Sequence, residues 1–100
     1  MVISKVLRSY EVKNLNEEEF IKVVVNSLSR ELHREIKIEI INDEKFKIII
    51  DKYEIPMSKR LIRGLDKPYG VDIYILEEAR SQGFEFDDEI NRYIRNCYEK

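Results

Sequence analysis

Apolar residues recur with period 2 over residues 36–50. Ile36, Ile38 and Ile40 alternate with Lys37 and Glu39, and Phe46, Ile48 and Ile50 alternate with Lys47 and Ile49. Two such runs separated by Asn42-Asp43-Glu44 predict a β-hairpin. Residues facing each other in an antiparallel pair share a face, so Ile40 is expected opposite Phe46, Ile38 opposite Ile48 and Ile36 opposite Ile50. A slip by one residue would set Ile40 against Lys45 and Ile38 against Lys47, which the apolar pattern selects against. The other face then carries Lys37, Glu39, Ile41, Lys45, Lys47 and Ile49, with Glu39 opposite Lys47.

The period changes to helical on both sides of this hairpin. Phe20, Val23, Val24, Ser27, Leu28, Glu31 and Leu32 trace one face of a helix over residues 17–33. Asn16 and Glu19 form a capping-box pattern, Leu15 can staple onto the first turn, and Glu17, Glu18 and Glu19 suit the positive end of the helix dipole. Residues 2–12 mix both periods, and their β-branched content predicts an N-terminal strand. After the hairpin, Pro56 is expected to end the second strand, since proline cannot donate to a ladder. Ser58 then caps a short basic helix within residues 59–67, with Leu61, Ile62 and Leu65 inward. Residues 71–76 alone would pass for a strand, which would give a ferredoxin-like order. The helix formers of residues 77–82 and the stop signal at Gly83 predict a helix instead. A last helix follows from Ile90, Tyr93, Ile94, Cys97 and Tyr98. The expected fold is a single α+β domain: an antiparallel sheet built on the hairpin, an N-terminal strand, one long helix and three shorter C-terminal helices.

Composition narrows the class. One hundred residues, 43% hydrophobic and 38% charged, suit one soluble domain with a charged exterior. One cysteine excludes an internal disulfide framework and fits a reducing compartment. No run is long and apolar enough for a membrane span, and residues 1–15 lack the apolar core of a signal peptide, so a cytoplasmic protein is expected. Net charge is +2 over residues 1–68 and −4 over residues 69–100, together the −2 of the whole chain. Neither the whole chain nor its acidic end offers a basic field for nucleic acid.

Candidate chemistry is sparse. His33, the only histidine, falls at a helix end where the dipole favours a cation, without companions for catalysis or metal binding. Cys97 lies on an apolar stripe far from a helix N-terminus, which reads as structural. The acidic triplets at 17–19 and 87–89 both open helices, and adjacent helical residues diverge, so neither set can converge on one ion. Gly64, Gly70 and Gly83 form no phosphate-binding fingerprint.

Two surfaces remain. Lys59, Arg60, Arg63 and Lys67 are the densest basic group, and they can meet phosphate or simply keep a helix face solvated. Ile41, Ile49 and, continuing the alternation, Tyr53 are expected on the hairpin face away from the long helix, where a solvated sheet would be polar. They are either covered by the C-terminal helices or exposed to a partner, a second copy in a homodimer included. The expected function is non-catalytic, without a cofactor: a regulatory module that binds another protein. The alternative is a nucleic-acid-binding regulator using residues 59–67 and the hairpin lysines, with an enzyme of unfamiliar geometry third.

Overall fold

A computed structural model describes residues 15–65, 67–86 and 92–98. The strand expected over residues 2–12, the acidic triplet 87–89 and Ile90 lie outside the described residues. Within them the chain runs α1 (Glu17–Leu32), β1 (Ile36–Ile40), β2 (Lys45–Ile50), β3 (Tyr53–Ser58), α2 (Lys59–Gly64), α3 (Gly70–Ser81) and α4 (Arg92–Tyr98). The strands form one antiparallel sheet in the order β1-β2-β3.

The hairpin has the register that the apolar pattern selects: Ile36 faces Ile50, Ile38 faces Ile48 and Ile40 faces Phe46. Its loop is held from inside, because Asn42 Oδ1 accepts the N–H groups of Glu44 and Lys45 at 2.9 and 2.8 Å. The third strand departs from expectation. Pro56 does not end β2 but sits within β3, opposite Lys47. Asp51 and Lys52 make a two-residue turn in which Asp51 takes φ 53°, a conformation hairpin turns require and Asp tolerates. Counting back from the pair that closes this turn, Lys47 and Pro56 form a non-hydrogen-bonded pair. The proline nitrogen therefore points away from β2 and costs the ladder nothing.

That same turn moves Tyr53. Simple alternation from Ile49 places it on the outer face, but it pairs with Ile50 and so belongs to the core face, edge-on to Phe84 with ring centroids 6.0 Å apart.

The core lies on one side of the sheet. Phe46, Ile48, Ile50, Ile55 and Met57 are buried against Phe20, Ile21, Val24, Val25 and Leu28 of α1 and against Val71, Ile75, Leu76 and Ala79 of α3. The buried stripe of α1 is wider than its helical face alone suggests, because α1 packs on both β1 and α3. Its capping box forms as the sequence indicates: Glu19 N–H donates to Asn16 Oδ1 at 2.8 Å and Asn16 N–H to Glu19 Oε1 at 3.2 Å. Residues 71–76 are helical, which removes the ferredoxin-like order. Gly83, at φ 112°, ends α3 with paired bonds from its own N–H to Arg80 O and from Phe84 N–H to Ala79 O, both 3.0 Å. This is the Schellman arrangement, and it turns the chain so that Phe84 is buried.

Among the described residues, the C-terminal helices do not cover the outer face of the sheet. β3 extends the apolar face by Ile55 and Met57, and α3 packs on β3 there, so the helices enlarge the existing core. Lys37, Glu39 and Glu54 on the outer face remain exposed. No helix among the described residues is long and apolar enough to cross a membrane.

The two faces predict opposite outcomes for neighbouring substitutions. Ile48→Asp places a charge where exposure is 0% and should abolish the folded state. Glu39→Ala removes one exposed cross-strand partner of Lys47 and should cost about 1 kcal/mol or less. Thermal melts of both variants check the pair.

Candidate functional site

The open end of the hairpin gathers the features that suit a binding site. β1 continues past the cover of α1, which leaves Ile40 62% and Ile41 58% exposed, the two large hydrophobic residues exposed among those described. Between this end and the first turns of α1 lies a groove of about 210 Å³. Ile21, Ile38, Ile40 and Phe46 supply its apolar lining, and Glu18, Lys22, Asp43 and Lys59 its charged one.

Local bonds make this end rigid. The Glu44 carbonyl accepts the Lys59 N–H at 2.9 Å, and Glu44 Oε1 accepts the Arg60 N–H at 2.8 Å. Ser58 Oγ accepts the Leu61 N–H at 3.0 Å, as expected of a cap. The hairpin loop is thus tied to the start of α2, and the groove is bounded by anchored backbone on that side.

The expected site residues do not all come together. Ile41 is at the exposed tip. Ile49 is half-buried on the outer face, beside Lys37 and Glu54 in the pairing, and Tyr53 is on the core face. They form no common patch. The residue that joins Ile41 is Ile40. Pattern alone assigns Ile40 to the core face, and its exposure depends on where α1 ends over the sheet.

The basic group is partly neutralised. Arg63 Nη1 donates to Glu17 Oε1 at 2.7 Å and Nη2 lies 3.7 Å from Glu44 Oε1. Lys59 lines the groove, while Arg60 and Lys67 are exposed. On the outer face Lys47 lies 2.9 Å from Glu54 and 3.6 Å from Glu39, linking all three strands. Its hydrogen bond with Glu54, helped by the charge of Glu39, raises its pKa.

Polar pairs that the sequence pattern does not reveal join α3 to α4. Asp72, 0% exposed, accepts the hydroxyl of buried Tyr93. The one available clue was an acid inside the apolar run of residues 71–76. Tyr98 donates to Glu77 Oε2 at 2.6 Å, and Arg80 lies 4.1 Å from the centre of the Phe86 ring. His33 is an exposed helix cap at φ 56°, Cys97 is buried, and no group of three metal-ligating side chains converges among the described residues. Comparison with protein-family models, curated proteins and solved structures finds no match.

Burial, followed by the bond to Glu77, pushes the Tyr98 hydroxyl above its ordinary 10.0. A group that holds its proton more tightly when folded gives full stability below its unfolded pKa and loses it as pH rises through the folded one. Stability should therefore fall from about pH 10 upward, and Tyr98→Phe should flatten that fall. Melting temperatures of both proteins across the alkaline range provide the check.

Proposed function

We propose that this protein is a non-catalytic interaction module of the cytoplasm that binds another protein through the open end of its hairpin. The observation that carries the reading is the adjacent exposure of Ile40 and Ile41 over an apolar groove with a charged rim. An exposed apolar pair costs solubility without helping this fold, and apolar centres with polar rims suit protein interfaces. The groove is smaller than the roughly 300–1,000 Å³ of clefts that enclose a small molecule, and fits one inserted side chain better than a cofactor. A large apolar side chain of the partner would enter over Ile21, Ile38 and Phe46. Glu18, Lys22, Asp43 and Lys59 would meet polar groups around it. The single buried cysteine suits a reducing compartment.

A nucleic-acid-binding regulator is the second reading. It would use Lys59, Arg60 and Lys67, with Lys37 and Lys45 of the hairpin. It has less support, because Arg63 and Lys47 are each engaged by two carboxylates.

Selection of a displayed random-peptide library on the immobilised protein separates the two. Wild type should enrich peptides with large apolar residues, held with little dependence on salt. Ile40→Ser with Ile41→Ser should lose the enrichment while keeping the melting temperature, since both side chains are exposed. No enrichment, together with salt-sensitive binding of DNA that Arg60→Ala and Lys67→Ala weaken, would replace the first reading by the second.

A further inference from the structure

The two edges of the sheet differ in a way that the single-chain core does not require. The Ile41 N–H donates to Lys45 O at 3.0 Å, which fixes the alternation along β1. Lys37 and Glu39 direct their backbone groups to β2, while Ile36, Ile38 and Ile40 direct theirs away from the sheet. Among the described residues β1 has β2 as its one neighbour, so no described strand pairs with those outward groups. The β3 edge is closed. Pro56 has no N–H to offer there, and the Glu54 carbonyl accepts Gln82 Nε2 at 2.8 Å.

We propose that β1 pairs with β1 of a second copy, antiparallel about a two-fold axis at Ile38, so that two three-stranded sheets become one. This rests on the interaction reading above and gives it a partner. Backbone geometry allows this register, and the side chains select it. First, the outward backbone groups of Ile38 meet those of Ile38 in the second copy, and those of Ile36 meet Ile40, so each bond has its symmetric equivalent. Second, Lys37 then faces Glu39 of the second copy in a non-hydrogen-bonded pair, where side chains approach most closely, and the symmetry makes this contact twice. Both side chains are solvent-exposed and held only by long surface pairs: Lys37, 68% exposed, lies 3.7 Å from Glu35, and Glu39, 56% exposed, lies 3.6 Å from Lys47. Third, exposed Ile40 gains Ile36 of the second copy beside it on the apolar side. Axes at Lys37 or Glu39 would also bring outward groups together, but they would set Lys37 against Lys37 or Glu39 against Glu39 in the closest pair. Edge strands normally avoid self-pairing through charge, but in β1 the charges are complementary to themselves.

Charge reversal tests the register. Sedimentation equilibrium of wild type should show a reversible dimer. Lys37→Glu and Glu39→Lys each replace two attractions by two repulsions and should weaken dimerisation about tenfold or more. The double variant K37E/E39K restores opposite charges across the axis and should recover the dimer. Circular dichroism should show all three folded. A monomeric wild type, single variants that dimerise unchanged, or a folded double variant that stays monomeric would overturn the proposal. A monomeric wild type that still enriches apolar peptides would remove the dimer and leave the interaction reading standing. Should a variant misfold, amide exchange on wild type decides. Protection of Ile38 and Ile40 that grows with concentration supports the pairing, and protection independent of concentration overturns it.

Discussion

The pairing of Ile38 with Ile48, and of Ile48 with Ile55, is the constraint on which the rest of the structure depends. Side chains alternate along a strand, so one fixed pair decides the face of every other residue in the sheet. The anchored Asn42 loop sets the register on one side of β2, and the two-residue turn at Asp51 sets it on the other. With both in place, Ile36, Phe46, Ile50 and Met57 join the core, and Lys37, Glu39, Lys47 and Glu54 go outside. Full burial of a side chain of this size contributes roughly 1.5–3 kcal/mol, whereas an exposed ion pair contributes at most about 1 kcal/mol. The apolar face therefore selects the register, and the Glu39–Lys47–Glu54 network conforms to it.

How much of this was legible depended on whether the deciding interaction was local. The hairpin register follows from alternation, the start of α1 from Asn16 and Glu19, and the end of α3 from Gly83, each within a few residues. β3 is not legible, because a proline reads as a strand end unless its neighbours reveal that the nitrogen faces away from the ladder. Alternation places Tyr53 on the wrong face for a related reason: a two-residue turn resets the alternation carried across it. The exposure of Ile40 is fixed by how far α1 reaches over the sheet, and pattern does not carry that length. Asp72 needed a donor from α4, contributed by Tyr93, distant in sequence.

The site follows from the same geometry. The end of β1 leaves Ile40 and Ile41 exposed beside buried Phe46, and the hairpin tip is tied to α2 through Glu44, so apolar surface is held open on an anchored frame. The basic residues nearby serve partly as internal cations, Arg63 to Glu17 and Glu44 and Lys47 to Glu39 and Glu54. Among the described residues the two edges differ: Pro56 and Gln82 occupy the β3 edge, and β1 has β2 as its one neighbour, the asymmetry on which the proposed pairing draws.

Because the faces, the edges and the groove all derive from the register, that register is the claim to test directly. Hα–Hα cross-peaks in a nuclear Overhauser spectrum report non-hydrogen-bonded antiparallel pairs, where the two α-carbons approach to about 4.5 Å. The account requires such peaks between Ile38 and Ile48 across β1–β2, and between Ile49 and Glu54 and between Lys47 and Pro56 across β2–β3. Peaks displaced by one residue, such as Ile38 with Lys47, would reverse the faces of β1 and contradict it.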